Sequence, residues 1–246
     1  VVMYTEGGGG RPGDTDVKTQ IGGLDVPSFA SWAGLSGRVP LIAVNNGYCF
    51  AGNAALFGCA DIRIATQTSW IGMAGPAMIE GGGLGKFAPT DIGPIEVQAN
   101  NGVVDLVAEN EAHATQLAQH CLSYFQGDLL SWDCADQAQL GALMPDDRRY
   151  VYDIRALIKQ LVDCDSFVEL SRLYGSGVVT GFVRIEGRAM GLLANDCKVL
   201  GGAVDAEAAD KAARFIRLCN SFSIPVLSLC DTPGFMVGPA SEEQAS

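Results

Sequence analysis

The sequence predicts an α/β protein made of two halves on a common plan. Three observations lead there. Apolar runs of strand length, such as Pro40-Leu41-Ile42-Ala43-Val44, Ala60-Asp61-Ile62-Arg63-Ile64-Ala65 and Ile224-Pro225-Val226-Leu227-Ser228-Leu229-Cys230, alternate with helical stretches. Amphipathic patterns over 111–125 and 206–222 supply those helices. A loop follows a strand in each half, Glu6-Gly7-Gly8-Gly9 in the first and Asp231-Thr232-Pro233-Gly234 in the second. Strands separated by helices and ending in such loops describe a duplicated β/α unit.

Composition sets the limits. The 246 residues are 48% hydrophobic and 18% charged, enough for one large domain or two small ones. A net charge of −12 argues against a general nucleic-acid binder. It leaves anionic ligands open, because backbone amides bind phosphate without a net positive charge. No apolar run is long enough to cross a bilayer, and a cytoplasmic location with no membrane partner is expected. The eight cysteines stand at least ten residues apart, so no C-x-x-C pair offers a metal site. Most lie in apolar runs and read as buried reduced thiols. The chain opens on an apolar strand, Val1-Val2-Met3-Tyr4, and closes in a polar stretch, which reads as a piece of a longer polypeptide.

Taken in order, residues 1–5 read as a buried strand running into Glu6-Gly7-Gly8-Gly9-Gly10-Arg11, where accessible amides sit beside a cation. Residues 28–35 read as a short helix with Asp25 near its start and Pro27 early in it. The strand at 41–45 leads to the stretch that organises the half, Gly47-Tyr48-Cys49-Phe50-Ala51-Gly52-Asn53-Ala54-Ala55-Leu56. It reads as a tight small-residue turn opening a helix, followed by a strand at 60–65. Amides that open a helix have no partner inside it and sit at its positive end, so they can hold an oxygen that becomes negative in a reaction. A close strand–helix packing turn has the same composition. Residues 79–101 read as a Gly-rich loop with short helical turns, and Val103-Val104-Asp105-Leu106-Val107 as a strand. The helix at 111–125 follows, with both histidines, His113 and His120, on it.

Residues 128–150 are rich in Asp, Gln, Gly and Pro and read as a linker between a domain at 1–127 and a second at 151–246. Beyond it, Asp153 caps a helix striped by Ile154, Leu157, Ile158, Leu161 and Val162. Strands at 178–186 and 189–194 join through a Glu186-Gly187-Arg188 turn. The helix at 206–222 turns Ala208, Ala212, Phe215, Cys219 and Phe222 inward, and a buried strand ends in Asp231-Thr232-Pro233-Gly234-Phe235.

These residues resemble a known family. The 47–56 stretch with Cys59-Ala60-Asp61-Ile62 is similar to the oxyanion segment of the crotonase superfamily. The second half resembles its carboxyltransferase branch, the β subunits of biotin-dependent acyl-CoA carboxylases. The stretches that match are Ser166-Phe167-Val168-Glu169, Val179-Thr180-Gly181-Phe182-Val183-Arg184-Ile185-Glu186-Gly187-Arg188, Ala194-Asn195-Asp196, Ala213-Arg214-Phe215-Ile216-Arg217-Leu218-Cys219 and Asp231-Thr232-Pro233-Gly234-Phe235. The resemblance implies two crotonase-like ββα-superhelix domains, the second incomplete here. It implies carboxyl transfer from carboxybiotin to the α-carbon of an acyl-CoA through a thioester enolate. Gly52 and Asn53 would supply the oxyanion amides. Gly8, Gly9, Gly10, Arg11, Ala51, Gly75 and Pro76 would line the substrate, and Pro233, Gly234 and Phe235 would form a second-domain site loop. No metal is implied.

The resemblance further implies biotin carried on another domain or chain, since no lysine here follows a methionine. Partners would be biotin carboxyl carrier and biotin carboxylase domains and further copies of the chain, in a dimer-based assembly or hexamer. Four departures from the family stand out. Asn53 replaces a glycine, which leaves a backbone amide in place. Ala55 stands where hydratases carry a catalytic Glu. Residues 94–100 replace a Gly-Gly and His segment, which leaves the acyl group open, and a second oxyanion loop is expected beyond Gly238. A decarboxylase subunit, an enoyl-CoA hydratase and a non-catalytic structural subunit are the other readings.

Overall fold

A computed structural model describes residues 1–8, 27–147 and 149–244. The chain forms two compact units, Val1–Gln98 with Val107–Ala118, and Ala99–Leu106 with Gln119–Ser246. The first carries β1 (Val2–Tyr4), α1 (Pro27–Gly34), β2 (Ile42–Asn45), β3 (Tyr48–Phe50), α2 (Gly52–Gly58), β4 (Ile62–Thr66), β5 (Trp70–Gly72) and α3 (Pro76–Gly81). Three elements, α4 (Ile95–Asn100), β6 (Leu106–Ala108) and α5 (Glu111–Ser123), run across the boundary in sequence. The second carries α6 (Ile154–Leu161), β7 (Val168–Leu170), β8 (Val178–Ile185), β9 (Arg188–Asn195), α7 (Ala206–Ser221), β10 (Val226–Leu229) and α8 (Pro239–Glu243).

In the first unit one sheet has the order β1-β2-β4-β6, with β2 parallel to both β1 and β4. Parallel strands buried on both faces read as unbroken apolar runs rather than alternations. Ile42, Ala43, Val44, Ile62, Ile64 and Ala65 accordingly have no exposed surface. A second, two-stranded parallel sheet pairs β3 with β5.

The second unit has one sheet of order β10-β9-β8-β7. β8 and β9 form the expected hairpin, with Ile185 opposite Arg188. Glu186 and Gly187 both have positive φ, 53° and 76°, the turn that matches strand twist. The amides of Glu186 and Gly187 donate to the Asp163 carboxylate at 3.0 and 2.7 Å. Asp153 caps α6 as expected, accepting from the amides of Arg155 and Ala156. The apolar stripe of α6 packs on Val179, Val183, Leu192 and Ala194. Phe182, which alternates with Val179 and Val183 along β8, stacks on Tyr124, meets Phe125 edge-on and packs at a tilt against Phe215.

Several expectations are corrected. Residues 1–5 and 224–230 do not form buried strands. β1 and β10 are sheet edges, with Tyr4 and Val226 exposed, because each pairs on one side only among the described residues. The strand expected at 103–107 is shorter and later, at Leu106–Ala108. Asp105 is instead drawn into side-chain bonding, accepting from the Ser171 hydroxyl at 2.7 Å. Only Cys49, Cys121 and Cys219 are buried; Cys59, Cys134, Cys164 and Cys230 are exposed because they stand at element ends and in loops. Asp25 lies outside the described residues. Residues 128–147 are hydrogen-bonded within the second unit, from the Leu129 amide to the Gly187 carbonyl (3.0 Å) and from the Cys164 amide to the Asp133 carbonyl (2.8 Å).

Candidate active site

The first unit concentrates its unusual backbone at one turn. β3 ends at Phe50 and α2 opens at Gly52, and Ala51 between them has φ 57° and ψ −126°. A non-glycine residue in this region is strained by about 1–3 kcal/mol and is held there by its surroundings. Here the Ala51 amide donates to the Gly72 carbonyl (3.2 Å), and its own carbonyl accepts from Ala55 (3.1 Å). The amides of Gly52 and Asn53, the first of α2, find no acceptor among the described residues. Phe29 of α1 lies against Gly52, so that a Cβ there would sit 2.9 Å from the ring.

The first loop is laid against this turn by the side chain of Asn53. Its Nδ2 donates to the Thr5 carbonyl (3.1 Å) and the Glu6 carbonyl (3.0 Å). Gly7 then pairs with β3, its amide donating to the Tyr48 carbonyl (2.8 Å) and its carbonyl accepting from Phe50 (2.9 Å). Gly7 has φ +152°, and a Cβ there would collide with the Asn53 amide group. The sequence reading gave Asn53 a backbone role alone, and the loop-fastening carboxamide was not foreseen. A polar side chain able to donate twice, directly after the turn glycine, was the available signal.

Loop and turn border an open groove of about 570 Å³, almost wholly apolar in its exposed lining. Gly7, Gly8, Tyr48, Phe50 and Pro76 line it, so Gly8 and Pro76 of the expected residues come together. Gly75 caps α3 beside Phe50, and Tyr48 stacks on Phe50 and Trp70 at ring distances of 5.8 and 5.0 Å. Gly9, Gly10 and Arg11 lie outside the described residues. Burial pushes the Cys49 thiol up to about 11, which leaves it protonated and unsuited to attack. The Glu6 carboxylate accepts from the Asn46 amide at 2.8 Å. His113 accepts from the Glu109 amide (3.3 Å) and His120 faces the Tyr124 hydroxyl (3.0 Å). Burial and the Arg184 cation hold His120 below its ordinary range. No metal-ligand cluster occurs among the described residues.

The second unit holds Pro233, Gly234 and Phe235 in a braced loop after β10. The Tyr152 hydroxyl donates to Asp231 (2.9 Å), and the Asp231 amide donates to Asn195 Oδ1 (3.2 Å). The Val204 amide donates to the Gly234 carbonyl, and the Met236 amide to the Val204 carbonyl. Phe235 remains exposed. Burial, with Asp231 adding to it, pushes Tyr152 up to about 12, so its hydroxyl stays a donor. Beneath lies an ionic cluster that the sequence did not reveal. Arg155 pairs with Glu169 (2.6 Å) and Asp196 (2.5 Å). Lys211, on the inner face of α7, is buried and its Nζ makes no hydrogen bond among the described residues.

Residues 6–245 match the carboxyl transferase domain family. The chain is 30% identical over 226 residues to the biotin-dependent long chain acyl-coenzyme A carboxylase beta4 subunit of Mycobacterium tuberculosis, covering 85% of this chain and 42% of that protein. A solved single-chain, multi-domain long-chain acyl-CoA carboxylase superposes with a TM-score of 0.94 at 57% identity, over 99% of this chain and 24% of that one. The transcarboxylase 12S structure, a hexamer with methylmalonyl-CoA and methylmalonic acid bound, superposes at 0.77 with 30% identity, over 87% of this chain and 44% of that one. The chain spans about two-fifths of the length of the curated relatives it matches.

Proposed function

The chain belongs to the carboxyl transferase domain family and has the α/β fold of its solved members, and on that premise we propose that it transfers a carboxyl group to the α-carbon of an acyl-CoA thioester. The observation that carries this reading is the pair of open amides at Gly52 and Asn53, which follow closely in the chain on Phe50, a residue that lines an apolar groove. Removing the α-proton of a thioester places negative charge on its oxygen. Fixed amides that meet this charge stabilise the enolate more than the ground state, which accelerates the reaction. Their direction is fixed before the substrate arrives, because Ala51 is held by Gly72 and the loop by Asn53.

Biotin, carried on another domain or chain, would supply the carboxyl group and, as the anion left once that group is released, the base that takes the α-proton. The exposed Phe235 on its braced loop, with Pro233 and Gly234, offers the apolar surface such a carried group needs. Around the groove, Cys49 is protonated and Glu6 is occupied by Asn46, so this chain contributes positioning and charge stabilisation in place of a general base. Carrier and carboxylase domains and a dimer-based oligomer complete the proposal, supported by the hexamer of the 12S relative. Ala55, on α2 three residues after Gly52, supplies no proton-transfer group and weighs against a hydratase.

The test is carboxylation of acyl-CoA by the full-length enzyme carrying this chain, with Gly52→Pro set against Gly52→Ala. Both put a Cβ against Phe29, and only proline removes the amide. Gly52→Pro is expected to lose 10²–10³-fold in kcat relative to Gly52→Ala, the loss of one oxyanion donor of about 2.7–4 kcal/mol. Equal turnover in the two variants overturns the amide's role.

A further inference from the structure

The first loop is held in two ways, and one of them reaches the helix that bears the open amides. The Thr5 amide donates to the Val44 carbonyl (2.9 Å), Gly7 exchanges two bonds with β3, and the Glu6 carboxylate accepts from the Asn46 amide (2.8 Å). Those bonds fasten the loop to β2, to β3 and to the connection between them. Among the described residues, the hydrogen bonds from α2 to the loop come from Asn53 alone, whose Nδ2 donates to the Thr5 and Glu6 carbonyls at 3.1 and 3.0 Å. A carboxamide nitrogen has two N–H donors, and both are spent here. The fit is close: the three atoms that a Cβ at Gly7 would meet first all belong to the Asn53 carboxamide. Glycine, which the resemblance has at position 53, could not make this tie.

We infer that Asn53 is, through its side chain, a positioning residue for the proposed carboxyl transfer: it fixes Gly7 and Gly8 relative to the amides of Gly52 and Asn53. The inference rests on the proposed reaction and deepens it. One residue carries both an open amide and the tie to a loop whose Gly7 and Gly8 line the groove. A substrate that touches the loop and meets the amides is therefore aligned by two surfaces with a set spacing. Orientation of this kind matters to rate, because a displacement of about 1 Å can cost 10²-fold. Loss of the side chain leaves both backbone amides in place and lets the loop shift against them. The cost falls on the step in which the amides meet the developing charge, more than on ground-state binding.

The experiment measures kcat and KM for carboxylation of acetyl-, propionyl- and palmitoyl-CoA by the full-length enzyme, unaltered and as Asn53→Ala, Gly7→Ala and the double variant. In Asn53→Ala, kcat is expected to fall about 10²-fold while KM stays within about threefold. A purely structural role would lower the urea midpoint and leave both constants of the folded enzyme unchanged. Gly7→Ala sets its Cβ on the carboxamide and is expected to lower kcat as well. The combined loss is expected to fall short of the product of the single losses by roughly threefold or more, because both act through one contact. An unchanged kcat in Asn53→Ala, or a loss confined to KM, refutes the inference and leaves the reaction standing. Losses that multiply in full refute it too. If the unaltered enzyme carboxylates none of the three, reaction and inference fall together. Asn53→Asp keeps the volume and the backbone amide and removes both donated bonds, so it carries the same expectation and decides the matter if Asn53→Ala does not fold.

Discussion

Replacing Lys211 by methionine should make the protein more stable. Lys211 is buried on the inner face of α7, in line with Ala208, Phe215 and Cys219, and its ammonium group makes no hydrogen bond among the described residues. Burial is the largest influence on it. Glu169 and Asp105 favour its charge, Arg155 opposes it, and the balance holds its pKa down from 10.5 to about 8. The unfolded chain binds the proton more tightly than the folded one, so the charged form is penalised in the folded state. At about 1.36 kcal/mol per pKa unit, a drop from 10.5 to about 8 is a penalty of about 3 kcal/mol, present in full below pH 8. Between pH 8 and 10.5 the unfolded state carries more protons, stability rises with pH, and the penalty fades. Methionine matches the unbranched stem and carries no charge. Urea unfolding at a series of pH values should show Lys211→Met ahead by about 3 kcal/mol at pH 7, with the gap closing toward pH 10.5. A wild-type protein at least as stable at pH 7, or a gap that does not change with pH, refutes the reasoning.

Other consequences can be checked by similar means. Asn53→Ala removes both bonds that fasten the first loop, and urea unfolding should register a loss of about 1–2 kcal/mol. Ala51→Gly relieves the φ 57° strain and should raise thermal stability by the equivalent of about 1 kcal/mol, read from the melting temperature. Arg155→Met leaves Glu169 and Asp196 facing each other without their shared cation, at a cost of about 3–5 kcal/mol in urea unfolding. Alkylation by iodoacetamide at pH 8, followed by peptide mass spectrometry, should label Cys59 and Cys230 well before Cys49, Cys121 and Cys219. Burial removes access and pushes the last three up to about 11, 12 and 12.

The pattern of apolar runs by itself located the long strands and helices, though not β3, β5 or the bounds of β6. The runs at 41–45, 60–65 and 178–186 became β2, β4 and β8 because a buried strand needs mostly apolar residues, which is a local property. Asp153 before an amphipathic stripe and Gly187 in a two-residue turn were legible for the same reason: a cap and a left-handed turn are chosen by adjacent residues. The turn at Gly52 could be located, and its close approach to the ring of Phe29 could not, because Phe29 is distant in sequence. The apolar stretches at 1–5 and 224–230 read as buried, and only the sheet order made β1 and β10 edges, since strand order is a tertiary quantity. Asn53 fastening residues 5 and 6, Arg155 bridging Glu169 and Asp196, and Lys211 enclosed without a partner all join positions far apart in the chain. Periodicity records which residues prefer to leave water, and it carries no information on which of them meet; that was settled when the two units closed around their own cores.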